Sequence, residues 1–197
     1  MWSHDKLQLY ELIKKDGLQH GEFRLASGNI SSFYFDCKRC LLTNKGLRTV
    51  SRGFAEFVLE TLTASEINSA ICNQTHVAGM GIGGVPLVTV LATYWDFFDP
   101  IFVRESTKVH GTKHQVEGNY KANDKVLVVD DVLTTGKSLA FIITALREEG
   151  LNPVRVFTIV DREIGAKKKI ENSFNVEVSS MFMSSDFGQI VSPEKIE

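Results

Sequence analysis

The stretch VLVVDDVLTTGKS, residues 126–138, combines an apolar run, two acidic residues and a hydroxyl-rich turn. The apolar run leads to Asp130 and Asp131, as in a strand of a parallel sheet that is covered on both faces. The following TTGKS precedes a predicted helix, so backbone N–H groups and the helix dipole favour an anion there. Carboxylates repel a bare phosphate but accept hydrogen bonds from hydroxyls. The stretch therefore predicts a ribose 5-phosphate site, with the diol on the acids and the phosphate on the turn.

This stretch has two alternatives to a sugar-phosphate site. A Walker A loop needs a glycine five residues before its Gly-Lys pair, and Asp131 stands at that position. The other alternative is an acidic strand end followed by an ordinary helix cap with no ligand. Paired acids at the end of a buried strand, before a threonine-rich turn, favour the ligand site over that alternative.

The composition fits a single globular domain that buries a core. The chain has 197 residues, of which 43% are hydrophobic and 23% are charged. A net charge of −2 argues against a nucleic-acid partner, which usually requires a strong basic excess. The longest apolar region, residues 77–98, contains five glycines or prolines and an aspartate, so no membrane span and no membrane partner are expected.

The three cysteines are an odd number, which argues against a disulfide framework and favours a reducing cytoplasm. Cys37 and Cys40 form a C-x-x-C pair, but no second pair completes a zinc site. We expect two half-buried thiols with no metal or redox role.

Strand-like and helix-like segments alternate along the chain. The predicted helices carry Leu9 to Gly17, residues 44–58, a segment from Pro86 in the first turn to about residue 97, and residues 138–149. The predicted strands are a pair within residues 23–36, and residues 70–73, 101–103, 126–130, 154–160 and 176–181. Residues 172–175 and 183–197 are predicted as loop and tail. The alternation predicts an α/β domain with a mostly parallel sheet and a ligand site at the carboxyl ends of its strands.

Two further segments have the chemistry of a diphosphate site. Residues 78–86, AGMGIGGVP, contain four glycines that would let the backbone approach a diphosphate closely, although close helix–strand packing is the alternative. Residues 104–120, RESTKVHGTKHQVEGNY, form an unusually long polar loop, which is typical of a lid. His110 and His114 suggest a metal pair, but Gly111 and the loop context oppose a helical H-x-x-x-H.

These motifs resemble the type I phosphoribosyltransferases, whose signature is a hydrophobic strand, two acids, two small residues and T-T-G-x-S/T. Three further segments resemble the orotate branch of that family: the hood motif FRLASGNISSFYFDCK at 23–38, the glycine-rich segment 78–86 as its pyrophosphate loop, and the spacing of Arg104, Lys108 and His110-Gly111 in the lid. A fourth, smaller match is the arginine of VDRE at 160–163, which in the family pairs with the orotate carboxylate. The resemblance implies an α/β fold with a mostly parallel sheet flanked by helices. It also implies one domain over residues 1–197, with a small N-terminal hood of about residues 18–40 completed by the C-terminal segment.

The resemblance implies Mg²⁺-dependent transfer of a phosphoribosyl group from phosphoribosyl pyrophosphate to orotate, in pyrimidine biosynthesis. The metal would be carried by the diphosphate, with no direct protein ligand. The protein would be a cytoplasmic homodimer with shared active sites. The implied catalytic residues are Lys108, Arg104, His110 and Asp131. The implied substrate-binding residues are Asp130, Asp131, Val132, Leu133, Thr134, Thr135, Gly136, Lys137, Ser138, Gly81, Ile82, Gly83, Gly84, Arg162, Ser27 and Phe35.

The chain departs from the family pattern at three positions where many members carry lysine. These positions hold Ala26, Gly83 and Glu105. Each lost charge-assisted hydrogen bond would cost roughly 1.5–3 kcal/mol. Two alternatives therefore stay open: a phosphoribosyltransferase for another base, and a non-catalytic regulatory protein on this fold.

Overall fold

The computed structural model describes residues 2–24, 30–73, 75–105 and 115–188. Its helices are α1 (His4–Leu12), α2 (Cys37–Leu41), α3 (Asn44–Thr61), α4 (Ala64–Asn73), α5 (Gly81–Tyr94), α6 (Lys137–Glu148) and α7 (Ala166–Phe174). A π-helical turn, Ile13–Gly17, extends α1, and a 3₁₀ turn, Ser184–Phe187, lies near the end of the described chain. Its strands are β1 (Leu18–Arg24), β2 (Ile30–Phe35), β3 (Thr75–Met80), β4 (Phe98–Val103), β5 (Val116–Glu117), β6 (Lys125–Leu133), β7 (Asn152–Asp161) and β8 (Glu177–Met183).

Six strands form the central sheet in the order β5-β4-β3-β6-β7-β8. All neighbouring pairs are parallel except the short β5, which pairs antiparallel with β4. The predicted α/β fold is therefore confirmed. The strand order reverses between β3 and β6, and ligands of open parallel sheets bind at the carboxyl ends of the strands beside such a reversal.

Alternating residues of the central strand β6 feed two hydrophobic cores. Leu127 and Val129 face a core shared with α1, α3 and α5, whereas Val126 and Val128 face a core shared with α6 and β8. All four side chains are buried, and each contributes about 1.5–3 kcal/mol of transfer free energy. Burial on both faces explains why this strand is a continuous apolar run in the sequence.

Strands β1 and β2 form a separate antiparallel hairpin beside the sheet. Its Phe35 packs against Phe187 of the C-terminal 3₁₀ turn, with ring centroids 5.1 Å apart. Tyr10 of α1 stacks on the same Phe187 at 4.8 Å, and its hydroxyl donates to the Asp186 carbonyl at 3.1 Å. The hairpin is thus fixed to the sheet by an aromatic cluster that joins both ends of the described chain.

The prediction of a strand at residues 70–73 was wrong, because that segment ends helix α4 and the strand begins only at Thr75. A capping box starts this helix: the Thr63 hydroxyl accepts from Glu66 N–H at 3.3 Å, and the Glu66 carboxylate accepts from Thr63 N–H at 2.7 Å. The sequence pattern T-x-x-E carries that signal. A buried strand would have placed Ile71 in the core, but the residue is 57% exposed.

Other predicted boundaries also needed correction. Helix α5 starts at Gly81 and ends at Tyr94, so Pro86 is its sixth residue and lies outside the first turn. Residues 172–174, predicted as loop, complete α7, whose start is set by Gly165 at a φ of +89°. Strand β6 continues past Asp130 to Leu133, because Val132 and Leu133 still pair with β7.

The two cysteines of the C-x-x-C pair are more deeply buried than predicted. Cys37 and Cys40 are free thiols with only 0% and 1% of their surface exposed, so they are fully buried where half-burial was expected. Both lie in α2, whose other side chains are exposed or partly exposed apart from Leu41.

In the part of the chain that the structure describes, no helix is both long and apolar enough to cross a bilayer.

Candidate active site

The two acids of β6 lie together at the carboxyl end of the sheet, where Asp130 is buried and Asp131 is partly buried. The Asp130 carboxylate accepts from the Asp131 N–H at 3.0 Å, and the Asp131 carboxylate accepts from the Val132 N–H at 2.9 Å. Burial, followed by the charge of Asp131, raises the pKa of Asp130 well above its usual range. Burial also raises the pKa of Asp131, and the positive charge of Lys38 opposes that shift. The ionised form of the pair is therefore unfavourable in the free protein, and hydrogen bonds donated by hydroxyl groups would stabilise it.

The turn after β6 has the geometry of an anion site. Thr134 and Thr135 lead to Gly136, which has a φ of +76° and precedes the first residue of α6. No side chain among the described residues caps this helix, so its first amides face the turn. Backbone N–H groups at a helix N-terminus and two hydroxyls suit a phosphate dianion.

A cavity of about 670 Å³ opens beside the acids and the turn. Its walls come from the hairpin, from β6 and α6, and from the residue after β7: Gln19, Glu22, Phe23, Tyr34, Asp130, Val132, Leu133, Thr134, Thr135, Gly136, Lys137, Ser138, Leu139 and Arg162. The structure thus brings together most of the predicted TTGKS site and the distant Arg162. Ligand-sized cavities with few convergent polar groups are the usual form of a binding site.

Arg162 lies directly after β7 and has only 5% of its surface exposed. Its guanidinium lies over the Phe33 ring at 4.5 Å and donates to the Phe33 carbonyl at 3.3 Å. The neighbouring Glu163 instead accepts from the Ser184 hydroxyl at 2.9 Å and from the Ser185 N–H at 2.7 Å. The alternative to a ligand role for Arg162 is a surface ion pair with Glu163. The structure contradicts that alternative, because Arg162 is buried and the two side chains have different partners.

The glycine-rich segment forms the first turn of α5, next to the acids. A Cβ atom on Gly83 would lie 2.5 Å from the Asp131 carboxylate, and one on Gly84 would lie 3.1 Å from the Val129 carbonyl. Gly81 has a φ of +63°, and Ile82 is 65% exposed. The absence of side chains leaves a backbone surface beside Asp131, as a diphosphate site requires.

The two ends of the predicted lid lie at the edge of the sheet. Arg104 N–H donates to the Gln115 carbonyl at 2.9 Å, which holds the ends together. The Arg104 guanidinium pairs with Glu117 at 3.1 Å. Lys108, His110 and the rest of residues 106–114 lie outside the described residues, as do Ala26 and Ser27.

Sequence reasoning missed the hairpin side chains that line the cavity. It chose Phe35, which is 2% exposed and packed in the core, whereas the preceding residue, Tyr34, lines the cavity. Strand alternation places neighbouring residues on opposite faces, but only the docked hairpin reveals which face meets the site. Gln19 and Glu22 were missed for the same reason.

The described residues contain no cluster of three or more His, Cys, Asp or Glu side chains that could share a metal ion. Cys40 Sγ donates to the Cys37 carbonyl at 3.0 Å within the buried helix α2. These thiols therefore serve the packing of that helix in the structure.

Comparison with known proteins agrees with this geometry. A family model described as phosphoribosyl transferase domain matches residues 54–192. The orotate phosphoribosyltransferase of Pyrococcus horikoshii is 39% identical over 84% of this chain and 84% of its own, and that of Pyrococcus furiosus is 37% identical over 81% and 82%. The crystal structure of the Mycobacterium tuberculosis orotate phosphoribosyltransferase is similar at a TM-score of 0.75 and 29% identity, covering 93% of this chain and 99% of the other. This chain belongs to the orotate phosphoribosyltransferase family.

Proposed function

We propose that this protein transfers the 5-phosphoribosyl group from phosphoribosyl pyrophosphate to orotate, giving orotidine 5'-monophosphate and pyrophosphate for pyrimidine biosynthesis. The observation that carries this proposal is a single cavity lined by the TTGKS turn, by Asp130 and by Arg162. These groups match the phosphate, the sugar hydroxyls and the orotate carboxylate in turn. The family membership supports the same reaction.

The proposed ligand arrangement follows from the walls of the cavity. The 5-phosphate lies at the N-terminus of α6 between Thr134 and Ser138, and the ribose hydroxyls donate to Asp130 and Asp131. The base lies between the hairpin and Arg162, whose planar guanidinium suits a carboxylate. Tyr34 and Phe23, whose rings are 5.6 Å apart, form the apolar wall of the base site.

The proposed reaction is a displacement at the anomeric carbon. The bond from that carbon to the diphosphate oxygen breaks, and its electron pair leaves with the diphosphate. The orotate ring nitrogen forms the new bond to the carbon, and the proton of that nitrogen passes to water. Positive charge builds on the ribose ring, and the buried carboxylates lie where they would stabilise it. We assign Arg104, Lys108 and His110 to the departing diphosphate, and closure of their loop would exclude water from the activated ribose.

The diphosphate site also fits a Mg²⁺ ion that arrives bound to the substrate. Gly81 to Gly84 leave a surface that a Cβ would fill, and Mg²⁺ keeps several waters while binding phosphate oxygens. When bound, the ion would neutralise negative charge on the leaving diphosphate. In this proposal the chain holds the diphosphate through its glycine backbone and lid residues and supplies no dedicated ligand cluster.

We further propose a homodimer in which each lid closes over the neighbouring active site. The ends of the lid, at Arg104 and Gln115, lie at the β4–β5 edge, whereas the cavity lies beyond β6 and β7. Sedimentation of the purified protein at micromolar concentration tests the dimer.

The free thiols Cys37 and Cys40 support a cytoplasmic location, which cell fractionation would check.

The decisive assay mixes the protein with Mg²⁺, phosphoribosyl pyrophosphate and orotate and follows the absorbance of orotate. We expect orotate to be consumed only when all components are present. Parallel reactions with uracil and with a purine base distinguish this activity from transfer to another base. Binding of phosphoribosyl pyrophosphate without consumption of any base would instead support a regulatory protein and contradict the proposal.

The change Arg162→Lys tests the assignment of the orotate carboxylate. Lysine keeps the charge but loses the two parallel N–H donors, so kcat/KM for orotate should fall roughly 10- to 100-fold. The KM for phosphoribosyl pyrophosphate should stay within about twofold, because that ligand does not contact the guanidinium in this arrangement. Steady-state kinetics with each substrate varied in turn measures both quantities.

Arg155→Lys is the matched control, since Arg155 is equally buried at the opposite end of β7. It pairs with Glu66 and Glu177 and lies away from the cavity, so its loss should lower Tm and leave the preference for orotate over uracil unchanged. Should Arg162→Lys reduce activity equally with orotate and uracil, Arg162 would not recognise the carboxylate.

A further inference from the structure

The backbone of Arg162 is held within a short turn that follows β7. Its N–H donates to the Leu133 carbonyl at 3.0 Å, directly before the turn proposed to hold the phosphate. The next N–H, that of Glu163, donates to Asp161 Oδ1 at 2.8 Å, so the aspartate side chain closes an Asx turn around Arg162. Glu163 itself has a φ of +58°, a left-handed conformation that is unfavourable for any residue with a side chain. Such a conformation persists only where the surrounding contacts hold it.

The carboxylate of Glu163 makes those contacts with the 3₁₀ turn Ser184–Phe187. Its Oε2 atom accepts from the Ser184 hydroxyl at 2.9 Å and from the Ser185 N–H at 2.7 Å. Glu163 is largely exposed, but Ser184 is only 6% exposed, so the hydroxyl meets the carboxylate at the edge of the core. Hydrogen bonds to an ionised acceptor are stronger than those between neutral groups. The side chain of Glu163 therefore joins the end of β7 to the C-terminal 3₁₀ turn.

The same 3₁₀ turn holds the hairpin of β1 and β2. Phe187 packs against Phe35 of β2, and Phe35 packs against Phe33 on the same face of that strand, with ring centroids 5.1 Å and 5.7 Å apart. Phe33 is the residue that meets the Arg162 guanidinium, through its ring and its carbonyl. The contacts thus form a closed ring that runs from Arg162 to the hairpin, to the 3₁₀ turn, and back through Glu163.

This ring of contacts sets the width of the proposed base site. Among the described residues, the hairpin pairs with no strand of the central sheet, so its distance from β7 depends on side-chain contacts. Tyr34 lines the cavity from the hairpin and Arg162 lines it from the end of β7. A hairpin released from the 3₁₀ turn would change the separation of these two walls.

We propose that Glu163 is a positioning residue for orotate: by binding the 3₁₀ turn, its carboxylate holds the hairpin and Arg162 at the separation in which the guanidinium meets the orotate carboxylate. The inference rests on the proposed function, which places the orotate carboxylate at Arg162. Glu163 is not among the residues that line the cavity, so its effect on orotate acts through the turn and the hairpin.

The test is steady-state kinetics of Glu163→Gly with each substrate varied in turn, at a temperature well below the melting point. Glycine accepts the left-handed backbone, so the change removes the carboxylate without adding strain. We expect KM for orotate to rise about tenfold while KM for phosphoribosyl pyrophosphate stays within about twofold. Glu163→Gln keeps an oxygen that accepts from both donors and should restore most of the wild-type KM for orotate.

Two further variants separate this role from a general loss of structure. Ser184→Ala removes one donor and should raise KM for orotate in part, and combining it with Glu163→Gly should add nothing, because both changes break one interaction. Asn175→Gly is the matched control, since Asn175 also has a left-handed φ, +49°, but follows α7 away from the cavity. It should leave both KM values unchanged.

Hydrogen exchange followed by mass spectrometry gives a readout that needs no catalysis. The amides of β2 should exchange faster in Glu163→Gly than in the wild-type protein or in Asn175→Gly. Unchanged exchange would overturn the inference, as would a wild-type KM for orotate in Glu163→Gly or an equal rise in both KM values. Should Glu163→Gly fail to fold, a wild-type KM for orotate in Ser184→Ala would overturn it instead. If the wild-type protein consumed no orotate while exchange still accelerated in Glu163→Gly alone, the proposed function would fail and the attachment of the hairpin through Glu163 would stand.

Discussion

Asp130→Asn should make the protein more stable and much less active. Asp130 is only 9% exposed and lies beside Asp131, so its ionised form is unfavourable in the free protein. An uncharged amide of the same shape removes that penalty, and we expect Tm to rise by about 2–4 °C, the shift that roughly 1 kcal/mol produces in a domain of this size. The same change removes a charged acceptor for the ribose hydroxyls, so kcat/KM for phosphoribosyl pyrophosphate should fall roughly 10- to 100-fold.

The direction of the pH dependence follows from the raised pKa of Asp130. A group whose pKa is higher in the folded than in the unfolded state contributes stability below the ordinary carboxyl range. That contribution is lost as pH rises through the folded-state pKa. The stabilisation by Asp130→Asn should therefore be small near pH 4 and largest at neutral and alkaline pH. Thermal melting of both proteins across this range measures the difference.

Asp124→Asn is the matched control, at the other end of the same strand. Asp124 accepts from the Lys121 N–H at 2.7 Å and lies 3.0 Å from His76 Nε2, and these hydrogen bonds lower its pKa. Its amide variant should lose stability above the carboxyl range and keep full activity. If Asp130→Asn destabilised the protein to a similar extent, the Asp130 carboxylate would stabilise the fold. The proposal that this carboxylate destabilises the free protein and serves ligand binding would then be wrong.

The central strand and its turn could be predicted because their signals are local. The apolar run of β6 reflects burial on both faces, and the acids, threonines and Gly136 follow it within seven residues. The length of β6 was underestimated because acidic residues usually end a strand, whereas here the pairing with β7 continues to Leu133. Helix α4 was missed although its capping box is a local signal, because the apolar residues near its end suggested a strand.

The hairpin wall of the cavity could not be predicted from the sequence because it depends on how distant elements pack. Tyr34 and Phe35 are adjacent and both aromatic, and only the docking of the hairpin places the first in the cavity and the second in the core.

Gly136→Ala should abolish high-affinity binding of phosphoribosyl pyrophosphate while the protein remains folded. Gly136 has a φ of +76°, a conformation that costs an alanine about 1 kcal/mol, and its new methyl group would lie 3.1 Å from Ile170 Cγ1. The backbone of the turn relaxes away from this strained φ, which displaces the amides at the start of α6 from the 5-phosphate. Loss of two or three charge-assisted hydrogen bonds predicts a rise in Kd of roughly 100-fold or more.

Gly165→Ala separates backbone strain from the effect on the site. Gly165 precedes α7 with a φ of +89°, close to that of Gly136, but an added Cβ there meets nothing within 4 Å. Both variants should therefore lose a similar amount of stability from the left-handed backbone, and only Gly136→Ala should lose affinity in titration calorimetry. Equal affinities in the two variants would show that the turn after β6 does not hold the phosphate. Because only Val132 and Leu133 separate this turn from the acid pair, that result would also contradict the placement of the ribose hydroxyls at Asp130 and Asp131.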